Sequence, residues 1–252
     1  MAESCLLIAA HPDDETIGAG IWMKRYRGRL MLVHITDGSP LDLRYARAVG
    51  FRSREQYALT RRTELYDALA LAGVNPRQCL QLSIADRQAY RFLPGLIACL
   101  FGIARTIQPT LLLSPPYEGG HPDHDAAAFA AAAIRRRFGM LHREYRLYHC
   151  RPDGSLETQE FLQGRKNAKA DRSVEIVTLS PAERDFKAEM LRAFRTQSET
   201  LQQFQIADER FRRAPEYDFS RPPHNGPLTY ERWNLGVSGV DWRRYACASL
   251  AR

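Results

Sequence analysis

The chain has 252 residues, 44% of them hydrophobic and 26% charged, the balance of one large soluble domain with a core of its own. Five cysteines with no Cys-x-x-Cys spacing argue against a disulfide framework or a cysteine-held zinc, and for buried free thiols. The net charge of +7 admits a nucleic-acid or anionic partner, but the basic residues are scattered over Arg135–Arg137, Lys166–Arg172 and Arg210–Arg213, beside helix ends or in loops, which reads as a solvated face.

No stretch reaches the roughly 18 apolar residues of a membrane helix. The start, MAESCLLIAAHPDDE, lacks a basic n-region, and its apolar run is too short for a signal peptide. The expected location is the cytoplasm, with no membrane span and no nucleic acid among the partners; a homo-oligomer is compatible with the sequence.

The first half alternates strand and helix signals. Cys5–Ala10 is a short apolar strand, and Thr16–Tyr26 has helical spacing. Leu30–Thr36 is a second strand. Arg54–Ala72 is an amphipathic helix closed by Gly73. Cys79–Ile84 is a third strand, Leu93–Ile107 a helix, and Thr110–Ser114 a fourth strand stopped by Pro115 and Pro116. Pro122–Phe138 is an alanine-rich helix and Tyr145–Cys150 a fifth strand. A polar loop is expected over Arg151–Arg172, then a strand at Val174–Leu179. Ser180 and Pro181 open a helix running to about Thr200. From Gln202 the chain is rich in Pro, Arg and aromatics, with little periodicity.

Strands separated by helices of this length predict βαβ units. The expected fold is therefore α/β: a Rossmann-like, three-layer, mostly parallel sheet with helices on both faces and an irregular C-terminal extension. Residues 1–200 form the main domain; residues 201–252 pack on it and border the substrate groove. Such sheets bind ligands beyond the carboxyl ends of their strands, where the order reverses. In the order 3-2-1-4-5, the loops after Ala10 and Ser114 face each other.

Those two loops carry unusual chemistry. AAHPDDETIGAG (Ala9–Gly20) places His11, Asp13, Asp14 and Glu15 after a buried strand. SPPYEGGHPDHDA (Ser114–Ala126) places His121, Asp123, His124 and Asp125 after another. Imidazole and carboxylate together suit zinc or iron(II), and three protein ligands with an open position make a catalytic site. His11, Asp14 and His124 can supply those ligands. Asp13 or Glu15 can take a proton from a metal-activated water, and His121 can donate to an oxyanion or a leaving amine. Against this, His-Pro-Asp alone is a common turn, Asp13 or Asp14 can simply cap the following helix, and His124 alone reads as a surface residue. A dinucleotide site is rejected because Gly18 and Gly20 fall inside the helix.

With both motifs in hand, Ala10-His11-Pro12-Asp13-Asp14-Glu15 and His121-Pro122-Asp123-His124 together resemble the PIG-L (LmbE-like) zinc-dependent de-N-acetylases. The resemblance covers about residues 4–200 and includes Thr36–Gly38, Arg61–Leu65, Lys187 and Phe194–Gln197. It implies that His11, Asp14 and His124 bind Zn2+ (Fe2+ being the other candidate), that Asp13 is the general base, and that His121, oriented by Asp123, stabilises the tetrahedral intermediate. Arg61 would hold sugar hydroxyls, and Glu15 would be a structural helix-start residue. Some relatives have a tyrosine two residues before the second-motif histidine; here that position is Gly119, so Tyr117, the nearest tyrosine, is carried as a substrate-binding candidate.

The implied activity is removal of the N-acetyl group from an N-acetylglucosamine-type glycoconjugate, a small-molecule substrate. Two other readings stand beside it: an amidase for another amide, such as a thiol conjugate or an N-acyl natural product, and a non-catalytic metal-dependent carbohydrate- or nucleic-acid-binding protein. Tyr230, Trp233 and Trp242 either stack on a substrate ring or pack the tail. His224 reads as a loop residue. Arg44, Arg47 and Arg54 either meet an anionic substrate group or solvate the surface.

Overall fold

The computed structural model describes residues 3–26, 28–162 and 174–250. Nine strands are described: β1 (Ser4–Ala9), β2 (Arg29–Pro40), β3 (Cys79–Asp86), β4 (Leu111–Ser114), β5 (Leu141–Tyr145), β6 (His149–Cys150), β7 (Leu156–Glu157), β8 (Glu175–Thr178) and β9 (Asp208–Arg213). Seven of them form one sheet in the order β3-β2-β1-β4-β5-β9-β8. The first five run parallel, in the order the sequence predicts. β9 and β8 add antiparallel strands at the far edge.

The described helices are α1 (Asp14–Arg25), α2 (Arg44–Ala48), α3 (Arg54–Leu71), α4 (Leu93–Ile107), α5 (Pro122–Phe138), α6 (Pro181–Ala193), α7 (Ser198–Leu201), α8 (Thr229–Arg232) and α9 (Gly239–Leu250). Alternation along β1 divides the core. Leu6 and Ile8 point to the α4, α5 and α9 side, with Leu96, Leu100, Phe129 and Trp242. Cys5, Leu7 and Ala9 point to the α1, α3 and α6 side, with Ile17, Leu65, Leu69 and Met190. Both faces are thus covered, as a parallel sheet requires. The Ala89–Ile107 stretch is long and apolar enough to cross a membrane by length and composition alone. Here Leu93, Leu96, Leu100 and Ala104 are buried in the core.

Two strands differ from expectation for one physical reason. The fifth parallel strand is Leu141–Tyr145, not Tyr145–Cys150, whose last residues belong to the separate β6–β7 hairpin. β9, DERFRR, lies in the tail where periodicity is weak. Both strands carry buried polar residues that find partners only in the fold. The His142 ring lies 2.8 Å from Ser114 Oγ, and Arg212 Nε on β9 donates to Glu144 on β5 at 2.8 Å. An apolar-run criterion cannot see such strands. The helix expected to reach Thr200 ends at Ala193, followed by a 3-10 turn (Arg195–Gln197) and α7. Of the loop expected at 151–172, residues 163–172, including the Lys166–Arg172 cluster, lie outside the described residues.

One device fixes the first helix. α1 is broken at Ala19 (φ −147°, ψ 22°). Glu209 of β9 accepts the N–H groups of Ile21 and Trp22, at 2.7 and 2.8 Å, and so caps the second half. Lys187 of α6 donates to the Ile17 carbonyl at 2.7 Å, closing the first half, and pairs with Glu209 at 2.8 Å. Three of the backbone groups at the break thus have charged partners. The helix that carries Asp14 in its first turn is anchored by α6 and β9.

Candidate active site

The carboxyl ends of β1 and β4 are neighbours, and their loops meet there. The chain leaves β1 through His11-Pro12-Asp13 and enters α1 at Asp14. Asp14 Oδ2 accepts the backbone N–H groups of Ala10 and His11 at 3.0 and 2.9 Å, so the carboxylate is fixed by its own loop. Its other oxygen, Oδ1, lies 3.1 Å from His124 Nε2. His11 Nδ1 stands 3.4 Å from Asp14. His11, Asp14 and His124, all buried, thus bring their ligand atoms within 4.8 Å of one another.

A second group shares His11 and adds Asp86, His121 and Asp123. The two groups use opposite nitrogens of His11: Nδ1 faces Asp14, while Nε2 lies 3.1 Å from Asp86 and 3.4 Å from Asp123. A metal-binding histidine typically donates its other ring N–H to a carboxylate, which fixes tautomer and orientation. His11, Asp14 and His124 can therefore serve as a donor set, with Asp86 and Asp123 behind it. Two imidazoles and one carboxylate suit zinc or iron(II). The charge balance agrees. Asp13, Asp14, Asp86 and Asp123 are all buried here, and Arg61 is the chief buried cation among them. Burial alone would lower the His11 pKa, but Asp86, Asp123 and Asp14 outweigh it and hold the ring well above its ordinary value. The cluster favours a cation at this position.

Asp13 has a different role. It occupies the N-cap position of α1, but its side chain makes no capping bond, and its backbone sits at φ 128°. A non-glycine residue in that region is strained and persists only when its surroundings hold it. Arg61 of α3 holds it here, donating to Asp13 Oδ2 at 3.0 Å, to the Pro12 carbonyl at 2.6 Å and to the Gly38 carbonyl at 3.1 Å. Burial pushes the Asp13 carboxyl up to about 7, against the pull of Arg61. Gly38 belongs to the same clamp: at φ +68°, an added Cβ would lie 2.8 Å from the Arg61 guanidinium carbon. Glu64, one turn along α3, accepts the backbone N–H and hydroxyl of Thr196 at 3.0 and 2.6 Å. The motif residues around Arg61 and Phe194 are thus joined.

His121 caps α5, its Nδ1 accepting the Asp123 backbone N–H at 3.2 Å. The ring N–H of the neutral imidazole is therefore at Nε2, which lies 3.5 Å from Asp86. Burial and the neighbouring His11 keep the His121 pKa well below its ordinary value. The Asp123 carboxylate is 3.9 Å from His121 and accepts instead from the Arg87 and Ala89 backbone. Asp123 orients His121 through its peptide N–H, not through its carboxylate.

Arg61 borders both compartments of the cleft that opens over the cluster, but its three hydrogen bonds go to the Pro12–Asp13 segment and Gly38, so that it positions Asp13. One expectation is corrected. Tyr117 does not reach the cleft. It is buried, stacks on Trp242 at 5.4 Å, and donates to the Arg221 carbonyl. Glu15 is structural as expected, bonded to Thr16, the Asp13 N–H and His34. Asp125 accepts the Gly119 N–H and steadies the second loop. Arg54 pairs with Asp37 and Arg44 with Asp42.

A cleft opens over the cluster in two connected compartments. The inner one, about 110 Å³, is bounded by His11, Asp13, Asp14, His121, His124 and Tyr148. The outer one, about 200 Å³, shares Arg61, Asp86, His121, Gln197 and Thr200 and adds Tyr45, Tyr57, Arg87, Trp233 and Leu235. Asp86 and Tyr148 were not anticipated. Asp86 had one available signal: it ends β3 at the carboxyl edge, where such sheets bind ligands. Tyr148 had none, since it lies in the connection after β5.

The PIG-L family model, described as GlcNAc-PI de-N-acetylase, matches residues 6–135. The structure is similar to that of the A40926 pseudoaglycone deacetylase Dbv21, at 20% identity over 84% of this chain and 98% of that one (TM-score 0.63). It is similar to N,N'-diacetylchitobiose deacetylase from Pyrococcus horikoshii, at 20% identity over 90% and 88% (TM-score 0.59). It also resembles GalB, the 4-carboxy-2-hydroxymuconate hydratase from Pseudomonas putida KT2440, at 14% identity over 86% and 98% (TM-score 0.53). The family match spans more than half of the chain and includes both His/Asp loops: the chain belongs to the PIG-L family.

Proposed function

We propose that this protein is a metal-dependent hydrolase that removes the N-acetyl group from an N-acetylglucosamine-type glycoconjugate. One observation carries the reading. A buried carboxylate excused from capping duty, Asp13, is held in a strained conformation beside a two-histidine, one-aspartate donor set, with His121 at the same cleft. A helix cap or a simple binding site needs no such base. The fold alone does not choose the reaction, since a hydratase shares it.

His11, Asp14 and His124 would hold zinc or iron(II). When bound, such an ion supplies Lewis acidity, polarising an amide carbonyl and lowering the pKa of water towards about 7. Asp13 accepts the proton of the attacking water, as a base with a pKa near neutrality does best. His121, neutral with its N–H at Nε2, hydrogen-bonds to the developing oxyanion. The amide C–N bond then breaks, the leaving nitrogen takes the proton held by Asp13, and acetate and a free amine result. Arg61 keeps Asp13 in place throughout. All five cysteines are free thiols, but only Cys5 and Cys150 are buried as expected; Cys79 is half-buried, and Cys99 and Cys247 are exposed.

The test is acetate release from N-acetylglucosamine and its glycosides, before and after chelation and with Zn2+ or Fe2+ restored. Metal-dependent release supports the proposal. Undiminished release after complete metal removal, or none from any N-acyl amino sugar, overturns it.

A further inference from the structure

Three large aromatics of the tail after β9, Tyr230, Trp233 and Trp242, are used differently. Tyr230 and Trp242 are buried anchors; Trp242 Nε1 donates to the Pro122 carbonyl at the start of α5 at 2.9 Å. Trp233 is not an anchor: 45% of its surface is exposed, and it borders the outer compartment of the cleft. Its position is nevertheless fixed. The Thr229 N–H donates to the Gly119 carbonyl at 2.9 Å, tying α8 to the second His/Asp loop. The Trp233 N–H bonds the Thr229 carbonyl, and the Leu235 N–H bonds the Tyr230 carbonyl, each at 2.9 Å. The Trp233 ring lies 5.6 Å from Tyr148, and Tyr148 meets His124 edge-on at 5.2 Å. A line of rings thus runs from the donor set to the rim. Tyr45, 46% exposed, lines the same compartment with the Arg87 guanidinium 4.4 Å above its ring.

Large aromatics left exposed yet rigidly held on a cleft wall suit the flat apolar face of a ring. The inner compartment, about 110 Å³, accommodates little more than an acylamino group and the edge of its sugar. The outer compartment, about 200 Å³, has room for the rest of such a sugar, and a group attached to it would reach the rim. We propose that Trp233, assisted by Tyr45, is a specificity-determining residue that stacks on a second ring carried by the amino sugar. The protein then acts on two-ring or longer conjugates in preference to a free monosaccharide. The second ring is either another sugar or an aromatic aglycone; both offer a flat face. The inference rests on the proposed deacetylase reading only for the identity of the amino sugar.

The experiment measures binding of unreactive products, so that it does not depend on turnover. Glucosamine, its β-1,4-linked disaccharide and an aryl β-glucosaminide are titrated calorimetrically into the metal-loaded protein. One or both two-ring ligands should bind about tenfold tighter than glucosamine, the scale of one good stacking contact. Trp233→Ala should abolish that ratio, and Trp233→Phe should retain most of it. Whichever two-ring ligand shows the Trp233-dependent gain identifies the ring. With N-acetylated substrates, the Trp233→Ala defect should appear in KM and leave kcat within about twofold. A ratio near one in the unsubstituted protein, or an undiminished ratio in a folded Trp233→Ala protein, overturns the inference. So does failure of every amino sugar to bind. A Trp233-dependent ratio without acetate release from any substrate leaves the stacking residue standing and overturns the hydrolase reading instead.

Discussion

Two buried polar clusters lie on either side of α1, and they are built on opposite principles. Lys187 and Glu209 are each about 1% exposed, and every charge between them is answered by its partner or by backbone groups of Ile17, Ile21 and Trp22. Around His11, Asp14 and His124, carboxylates outnumber buried cations, and the cluster faces a cleft. A buried polar group that is fully satisfied serves the fold. A surplus of like charge held in place and facing open space is costly unless a ligand or a reaction uses it.

The sharpest way to break this contrast is His124→Ala. If the cluster exists for a metal, this variant should lose metal by elemental analysis and fall to background turnover, while its melting temperature barely moves. A variant that keeps both metal and turnover would remove His124 from the donor set. Asp13→Asn comes next. It should keep the metal and lose about 10²- to 10⁴-fold in kcat, the usual range for a general base. Full activity in Asp13→Asn would refute its role.

The other cluster should respond in the reverse sense. Glu209→Ala strands the Lys187 charge and uncaps the second half of α1, at a cost of about 3–5 kcal/mol in urea unfolding. The folded fraction should still bind metal. Replacing both partners with methionine should recover part of that loss but not all, because the Ile21 and Trp22 N–H groups remain without acceptors. Complete recovery would mean that the capping role assigned to Glu209 is wrong.

The same contrast explains what could be read from the chain. Apolar strands β1, β2 and β4 and their order were legible, because LLIAA, LMLVHIT and TLLLS need no partner to be recognised as buried. The meeting of His11, Asp14 and His124 was legible because all three follow those strands at the switch point. β9 was not, because DERFRR becomes a buried strand only when Glu209 meets Lys187 and Arg212 meets Glu144. Arg61 could be placed at the site, but not its duty, since its bond to the Pro12 carbonyl depends on the backbone path of a loop 49 residues away. Tyr117 and Trp233 show the limit most clearly. Both are aromatics near the second loop's surroundings, and only packing decides that the first is core and the second rim.

His142 offers the smallest and most specific check, because it lies between the two extremes. Buried on β5, its ring has one partner, Ser114 Oγ at 2.8 Å; its Nδ1 has none among the described residues. Burial, aided by the Arg135 charge, pushes its pKa down to about 3. The ordinary value in the unfolded chain is about 6.5. Because the folded value is depressed, the neutral ring's contribution is fully present above pH 6.5. It is lost as the pH falls from there towards 3, where the unfolded state binds a proton that the native state refuses. One such proton is worth about 1.4 kcal/mol per pH unit, so at pH 5.5 the native protein should be destabilised by roughly that amount relative to neutrality through this residue alone. Unfolding His142→Asn in urea at several pH values between 6.5 and 4 should reveal a slope shallower by about one proton. An unchanged slope would mean that His142 charges within the fold, and that a half-satisfied buried polar group here behaves like the cation-seeking cluster rather than the closed one.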